Sequence, residues 1–305
     1  MRAIRHQRRV GVSSSRRGRR PLHLNAMLIL VVGALGALLP SVANAAGASY
    51  VAMGDSYTAA PGVTPPSPTA PADCAQSAAN YPHLAASALN LSLTDVSCSG
   101  AKTEDFTVAQ FPDQAPQFDA LTSSTEVVTV GMGGNDHNLF ATLLLGCTEA
   151  DIGQPNVGAP CRKKFEGFVT KTFEEDVTPQ EEALAEIHVL APQAKVFIVG
   201  YPEITPTHGY CPTAIPWTTG DLRWFHNRVQ ARGNASLRRE ALANDAVFVN
   251  TFKPSVGHNA CEPVGVRWIE PLFGSLTGVP VHPNALGEQN DAFDVERAML
   301  DHGVR

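Results

Sequence analysis

Five short, mostly apolar runs, set apart by longer stretches of helical pattern, constrain this 305-residue chain more than any other feature. Ser49–Met53, Leu91–Ser97, Glu126–Gly131, Lys195–Val199 and Ala246–Val249 have the length and composition of strands, most of them buried. Between and after them, Ala75–Asn90, Leu139–Leu145, Thr178–Leu190, Leu222–Ala243 and Pro283–Leu300 read as helices. Pro179 suits the first turn of its helix, and Pro192 stands just past the end. Strands alternating with helices predict an α/β fold with a parallel sheet covered on both faces. In such sheets, sites form beyond the carboxyl ends of the strands. Function is therefore to be sought in the residues just past the end of each run.

The chain ahead of the first run is of another kind. Residues 1–26 carry eight arginines and no acidic residue, and the 13-residue apolar run Met27–Leu39 comes next. Then comes Pro40-Ser-Val-Ala-Asn-Ala45, with a small-x-small site at its end. That order predicts a secretory signal peptide over 1–45, cleaved after Ala45. The apolar run falls short of the roughly 20 residues a membrane span needs, so an uncleaved anchor is the weaker reading. The paired arginines leave the export route open between the general and twin-arginine pathways.

Removing 45 of 305 residues leaves 260, enough for one domain with a sizeable core, over 46–305. Removing eight positive charges takes the formal charge from −6 to −14. A surface this acidic argues against nucleic acid and against electrostatic adhesion to anionic lipid. The expectation is a secreted monomer with no stable membrane anchoring. All six cysteines lie in the exported part, and an even number there reads as three disulfides. Of 15 possible pairings, Cys74–Cys98, Cys147–Cys161 and Cys211–Cys261 is favoured, because each bridge closes a local loop. No Cys-x-x-Cys occurs, and His137, His208, His226 and His258 lack metal-ligand spacing, so no metal is expected. The proline-rich stretch 61–71 reads as a stiff surface loop rather than a linker.

Three strand ends and one helix start stand out. Gly54-Asp55-Ser56 comes after the first run, where a tight exit exposes a serine hydroxyl as a nucleophile and the next turn offers N–H groups. By itself the tripeptide equally suits an ordinary serine N-cap. After the second run comes Ser99-Gly100, whose glycine N–H a ligand can approach. After the third comes Gly133-Gly134-Asn135, which carries an amide donor out of the sheet as an oxyanion hole requires. His282-Pro283 precedes the last helix, and histidine is the usual base for a serine hydroxyl.

Together these residues resemble the four sequence blocks of the SGNH (GDSL) hydrolase family, in order, over nearly the whole exported chain. Ser56, Gly100, Asn135 and His282 match its Ser, Gly, Asn and His, and the cysteines look like those of secreted actinobacterial lipases and esterases in it. The resemblance implies a three-layer flavodoxin-like fold and no cofactor. It implies that Ser56 attacks an ester carbonyl with His282 as general base. The oxyanion would be held by the N–H groups of Ser56 and Gly100 and by the Asn135 amide.

The sequence departs from that pattern in two places. Val279 stands where most members have an aspartate, three residues before the histidine, and Glu270 is the nearest acid upstream. Some secreted members use a backbone carbonyl instead, so the Val279 carbonyl is expected to accept from His282 Nδ1–H in a Ser–His dyad. Tyr57 stands where the family name has leucine and is read as a packing variation. The helix Leu139–Leu145 is read first as a core face and second as an acyl-pocket wall. Trp217, Trp224 and Trp268 suit either a substrate groove or the core. The implied substrates are small-molecule or lipid acyl esters. Competing readings are a carbohydrate O-acetylesterase and a non-catalytic binding module on the same fold.

Overall fold

Alternate residues of the first strand point to opposite faces, and both faces are buried. Tyr50 and Ala52 pack in one hydrophobic cluster, and Val51 and Met53 in another. The same division runs through Val127 against Val128 and Val130, and through Phe197 and Val199 against Val196 and Ile198. A strand apolar on both sides belongs in the middle of a covered sheet. The computed structural model describes residues 47–305. The expected signal peptide over 1–45 lies outside them.

Five strands form one parallel sheet: β1 (Ser49–Gly54), β2 (Ser92–Asp95), β3 (Val127–Gly131), β4 (Lys195–Val199) and β5 (Val247–Val249). Their spatial order is β2-β1-β3-β4-β5. This is the flavodoxin-like order, whose topological switch point lies between β1 and β3. Gly54 and Gly131, the last residues of those two strands, pair across that point.

Helices α2 (Tyr81–Leu89) and α7 (Ala285–Asp301) contribute Tyr81, Ala85, Val295 and Met299 to the face of Tyr50 and Phe197. Helices α4 (Pro160–Leu190) and α6 (Ala231–Ala243) bring Leu184, Ile187, Leu237 and Ala241 to the face of Val51 and Ile198. Each large apolar side chain removed from water contributes roughly 2 kcal/mol. A third cluster joins Tyr57, Leu143, Trp217, Phe225 and Val281. It draws on the four-residue α1 (Ser56–Ala59), α3 (Leu139–Asp151) and α5 (Thr219–Trp224).

Element boundaries depart from the sequence reading in four places. Helix α2 begins at Tyr81, not Ala75, because the Asn80 side chain caps it by accepting from His83 N–H and Ser77 is taken into a bridge with Pro66. Helix α4 begins at Pro160, not near Thr178, so Pro179 lies inside a 31-residue helix. The polar mixture of residues 162–175 masks the helical period there, while Val169 and Thr172 are buried. Between α5 and α6 the turns widen to a π-helical stretch over Phe225–Gln230. The last helix starts at Ala285, because the Asn284 side chain caps it by accepting from the N–H groups of Leu286 and Gly287. Pro283 therefore stands before the cap rather than at the first helical position. The disulfides join Cys74 to Cys98, Cys147 to Cys161, and Cys211 to Cys261. Closing loops of these lengths stabilises a fold by about 3 kcal/mol each.

Candidate active site

Gly54 leaves β1 at φ 150°, and a Cβ there would lie 2.8 Å from the Gly131 carbonyl oxygen. Only glycine lets the chain turn this close to β3. The buried Gln117 clamps the same residue, its Oε1 accepting from Gly54 N–H and its Nε2 donating to Gly54 C=O. Asp55 then caps α1, accepting from Tyr57 N–H at 2.8 Å. The chain emerges with Ser56 as the first helical residue, its backbone N–H without a partner among the described residues.

The Ser56 hydroxyl lies 2.8 Å from His282 Nε2. On the other side of the ring, Nδ1 is 2.8 Å from the Pro280 carbonyl oxygen. A carbonyl only accepts, so Nδ1 carries the proton and Nε2 is free to accept from serine. Burial pushes the imidazole below its ordinary value, against the Pro280 bond that favours the charged form. A neutral ring beside the hydroxyl is the form a general base needs.

The acceptor is Pro280, not the expected Val279. The Val279 carbonyl is already taken by His282 N–H at 3.2 Å, closing a β-turn over 279–282. Proline at its second position and Val281 at φ 59° in its third give the type II pattern. The central peptide of that turn points its carbonyl one way and its N–H the other. Pro280 C=O faces the imidazole, while Val281 N–H donates to Glu270 C=O at 2.9 Å. Glu270 does not reach the ring through these bonds. Its carboxylate accepts from Leu276 N–H, Thr277, Asn284 and Arg267. Burial alone would raise that carboxyl, but those bonds outweigh it and hold it at about 2.

Gly100 sits at φ 82°, two residues past the Cys98 disulfide, and its N–H too has no partner among the described residues. Asn135 stands just past β3 and donates one amide hydrogen to Ala101 C=O at 3.0 Å. The bond ties the loops after β2 and β3 together and leaves the second amide hydrogen available. Asp136 adds to the tie by accepting from Thr103 N–H and Oγ1 at 2.8 and 2.6 Å. Tyr201, just past β4, donates to Asp55 at 2.6 Å and accepts from Gly134 N–H at 3.0 Å. Burial raises the Asp55 carboxyl to about 6, against the bonds from Tyr201 and Tyr57. Gln117, Asp136 and Tyr201 escaped the sequence reading because no local motif distinguishes them from other polar residues near strand ends.

Ser56 and Asn135 border a pocket that opens beyond the strand ends. Its walls include Leu139, Leu143, Phe173, Ile204, Phe225 and Val229. Leu139 and Leu143 thus serve both readings of their helix, being buried and wall-forming. Polar neighbours are turned into internal bonds, Gln230 to Pro202 and Thr205, and Asn234 to the Tyr201 backbone. Asp176 borders the cavity too, its carboxyl raised to about 7 by burial and by Asp136, Glu240 and Glu175. Trp217 is core, its N–H on Thr148, and Trp268 stacks on His258. Among the described residues no group of three His, Cys, Asp or Glu is arranged to hold a metal ion.

Comparison with known proteins points one way. The sequence model of the GDSL-like Lipase/Acylhydrolase family matches residues 52–289. Lipase 2 of Streptomyces coelicolor is 42% identical over 246 residues, covering 80% of this chain and 83% of that protein. The fold is similar to phospholipase A1 from Streptomyces albidoflavus (TM-score 0.67, 24% identity, 84% of this chain and 99% of that one). It is similar also to an extracellular lipase from Streptomyces rimosus (TM-score 0.66, 24% identity, 83% of this chain and 100% of that one).

Proposed function

The chain belongs to the GDSL-like lipase/acylhydrolase family and is an ester hydrolase of the lipase/esterase kind, and from that premise we propose that it works through a Ser56–His282 dyad on medium or long acyl esters. The observation that carries the reading is a serine–imidazole contact of 2.8 Å beside a pocket lined largely by apolar side chains. An acetyl group would touch few of those apolar walls, whereas a longer acyl chain would lie along Leu139, Leu143, Phe225 and Val229.

Ser56 Oγ attacks the ester carbonyl carbon while His282 Nε2 takes its proton. Pro280 C=O holds the ring through Nδ1–H as the imidazolium forms. The oxyanion gathers Ser56 N–H, Gly100 N–H and the free Asn135 amide hydrogen, each donor contributing ~3 kcal/mol to the transition state. The imidazolium then protonates the leaving alcohol, and water, deprotonated by His282, releases the acyl group. A neutral carbonyl orients the ring without the charge that a carboxylate would add.

We propose further that residues 1–45 direct export and are removed. Three disulfides suit an oxidising compartment, and no described helix is long and apolar enough to cross a membrane. N-terminal sequencing of the exported protein should begin at Ala46; an intact start would refute cleavage.

The deciding assay is hydrolysis of p-nitrophenyl esters from acetate to palmitate by the exported protein, beside Ser56→Ala. Activity should rise beyond acetate and fall roughly a thousandfold or more in the variant, in keeping with loss of a catalytic nucleophile. Acetate as the sole substrate would favour an acetylesterase. A Ser56→Ala protein as active as the parent would refute the dyad.

A further inference from the structure

Tyr57 looks like a simple packing variation until its hydroxyl is traced to its partner. Its ring lies in the cluster beyond the strand ends, 5.1 Å from the His282 ring and edge-on to Phe140 and Tyr201. A leucine could fill such a place. The hydroxyl does something a leucine cannot: it donates to the Val281 carbonyl at 2.5 Å.

Val281 is the residue that most needs such a partner. It is β-branched, 1% exposed, and held at φ 59°. That conformation is a genuine outlier for a β-branched side chain and persists only where the surroundings over-determine it. Here both of its backbone groups are tied, the N–H to Glu270 C=O and the C=O to Tyr57. The left-handed conformation is also what turns the central peptide so that Pro280 C=O meets Nδ1. Relaxing Val281 to negative φ would swing that carbonyl away and free the ring to rotate. Tyr57 comes directly after Ser56, so one side chain joins the nucleophile's helix to the turn that orients the base.

We propose that Tyr57 is a positioning residue for His282, its hydroxyl locking the Val279–His282 turn in the form that keeps Pro280 C=O on Nδ1 and Nε2 on Ser56. The inference rests on the Ser56–His282 reading above. It assigns to a backbone clamp part of the orienting task that a carboxylate performs in a triad.

The test compares the exported wild-type protein with Tyr57→Phe and with Tyr57→Phe/Val281→Gly on a soluble p-nitrophenyl butyrate. Tyr57→Phe keeps the ring and should lower kcat about tenfold, the scale of one lost hydrogen bond, with KM nearly unchanged. The downfield proton resonance of His282 Nδ1–H should broaden or vanish. Glycine takes positive φ freely, so Val281→Gly in that background should recover much of the lost kcat and the resonance. A purely structural tyrosine would lower Tm and leave kcat and the resonance alone, and that result overturns the proposal. So does a fall in kcat with the resonance intact, or a rise confined to KM. If the double variant does not fold, the resonance and kcat of Tyr57→Phe still decide. An inert wild type that a fluorophosphonate fails to label would instead defeat the dyad itself, whereas an active wild type with an indifferent Tyr57→Phe defeats this inference alone.

Discussion

Two buried carboxyl groups, Glu270 and Asp55, are linked to opposite members of the dyad and are held in opposite ways. Glu270, bonded through its backbone to Val281 and His282, receives four donors and is held at about 2. Asp55, next to Ser56, receives two and is raised to about 6. Both are about 1% exposed, but Asp55 lies deeper in the protein, and burial is the largest influence on each. The donors aimed at Glu270 overcome its burial, and those on Asp55 do not. Neither carboxyl bonds to His282. Glu270 instead gathers Leu276, Thr277, Arg267 and Asn284 around the turn, while Asp55 joins β1 to β3 and β4 through Tyr201.

Breaking the first hub should have the largest effect. Glu270→Gln leaves Arg267 buried without its anion and should cost about 3–5 kcal/mol of stability. Chemical denaturation would measure it, with kcat per folded molecule nearly retained. A stable variant that has lost its kcat would make Glu270 a direct partner of the histidine.

The pH dependence of stability sharpens the contrast. Glu270 is depressed, so its contribution is present above the unfolded value near 4.5 and is lost as pH falls toward 2. Asp55 and Asp176 are raised, so theirs is present below about 4 and is lost as pH rises through 6 to 7. Stability should therefore peak near pH 4, with Asp55 alone accounting for on the order of 2 kcal/mol of the decline from there to pH 7. Denaturant midpoints measured across that range would test this, and a maximum at pH 7 or above would contradict it.

Asp55→Asn should have the smallest effect. At pH 5 it replaces one accepting oxygen by a donor and costs about 1 kcal/mol. It should flatten the decline between about pH 4 and 6. An unchanged slope would move the titration to other groups.

The strands were legible because a buried strand is written locally. β3 and β4 needed only their β-branched runs, and Ser56 and Asn135 stood out because they follow such runs, His282 because it precedes a helix. The orienting carbonyl was one residue out, since nothing in Val279-Pro280-Val281 says which carbonyl the turn itself will consume. Tyr57 was visible but mute: its ring suits packing, and the partner of its hydroxyl lies 224 positions away. The cavity was illegible for the same reason, Phe173, Ile204 and Val229 coming from separate elements. Helix α4 is longer than its sequence suggests because Pro179, in mid-helix, imitates a start signal.

The sheet's shape has a consequence for how copies of this chain meet. Its outer strands are β2, with four residues, and β5, with three, both below the five or six of an average strand. Ser92 and Thr94 give the β2 rim an exposed polar side. A long apolar rim invites a second molecule to add its own strand, the first step toward aggregation. Here a crowding neighbour would find three or four backbone positions to grip, while the long apolar strands that lead into the site stand inside the sheet with both edges already satisfied.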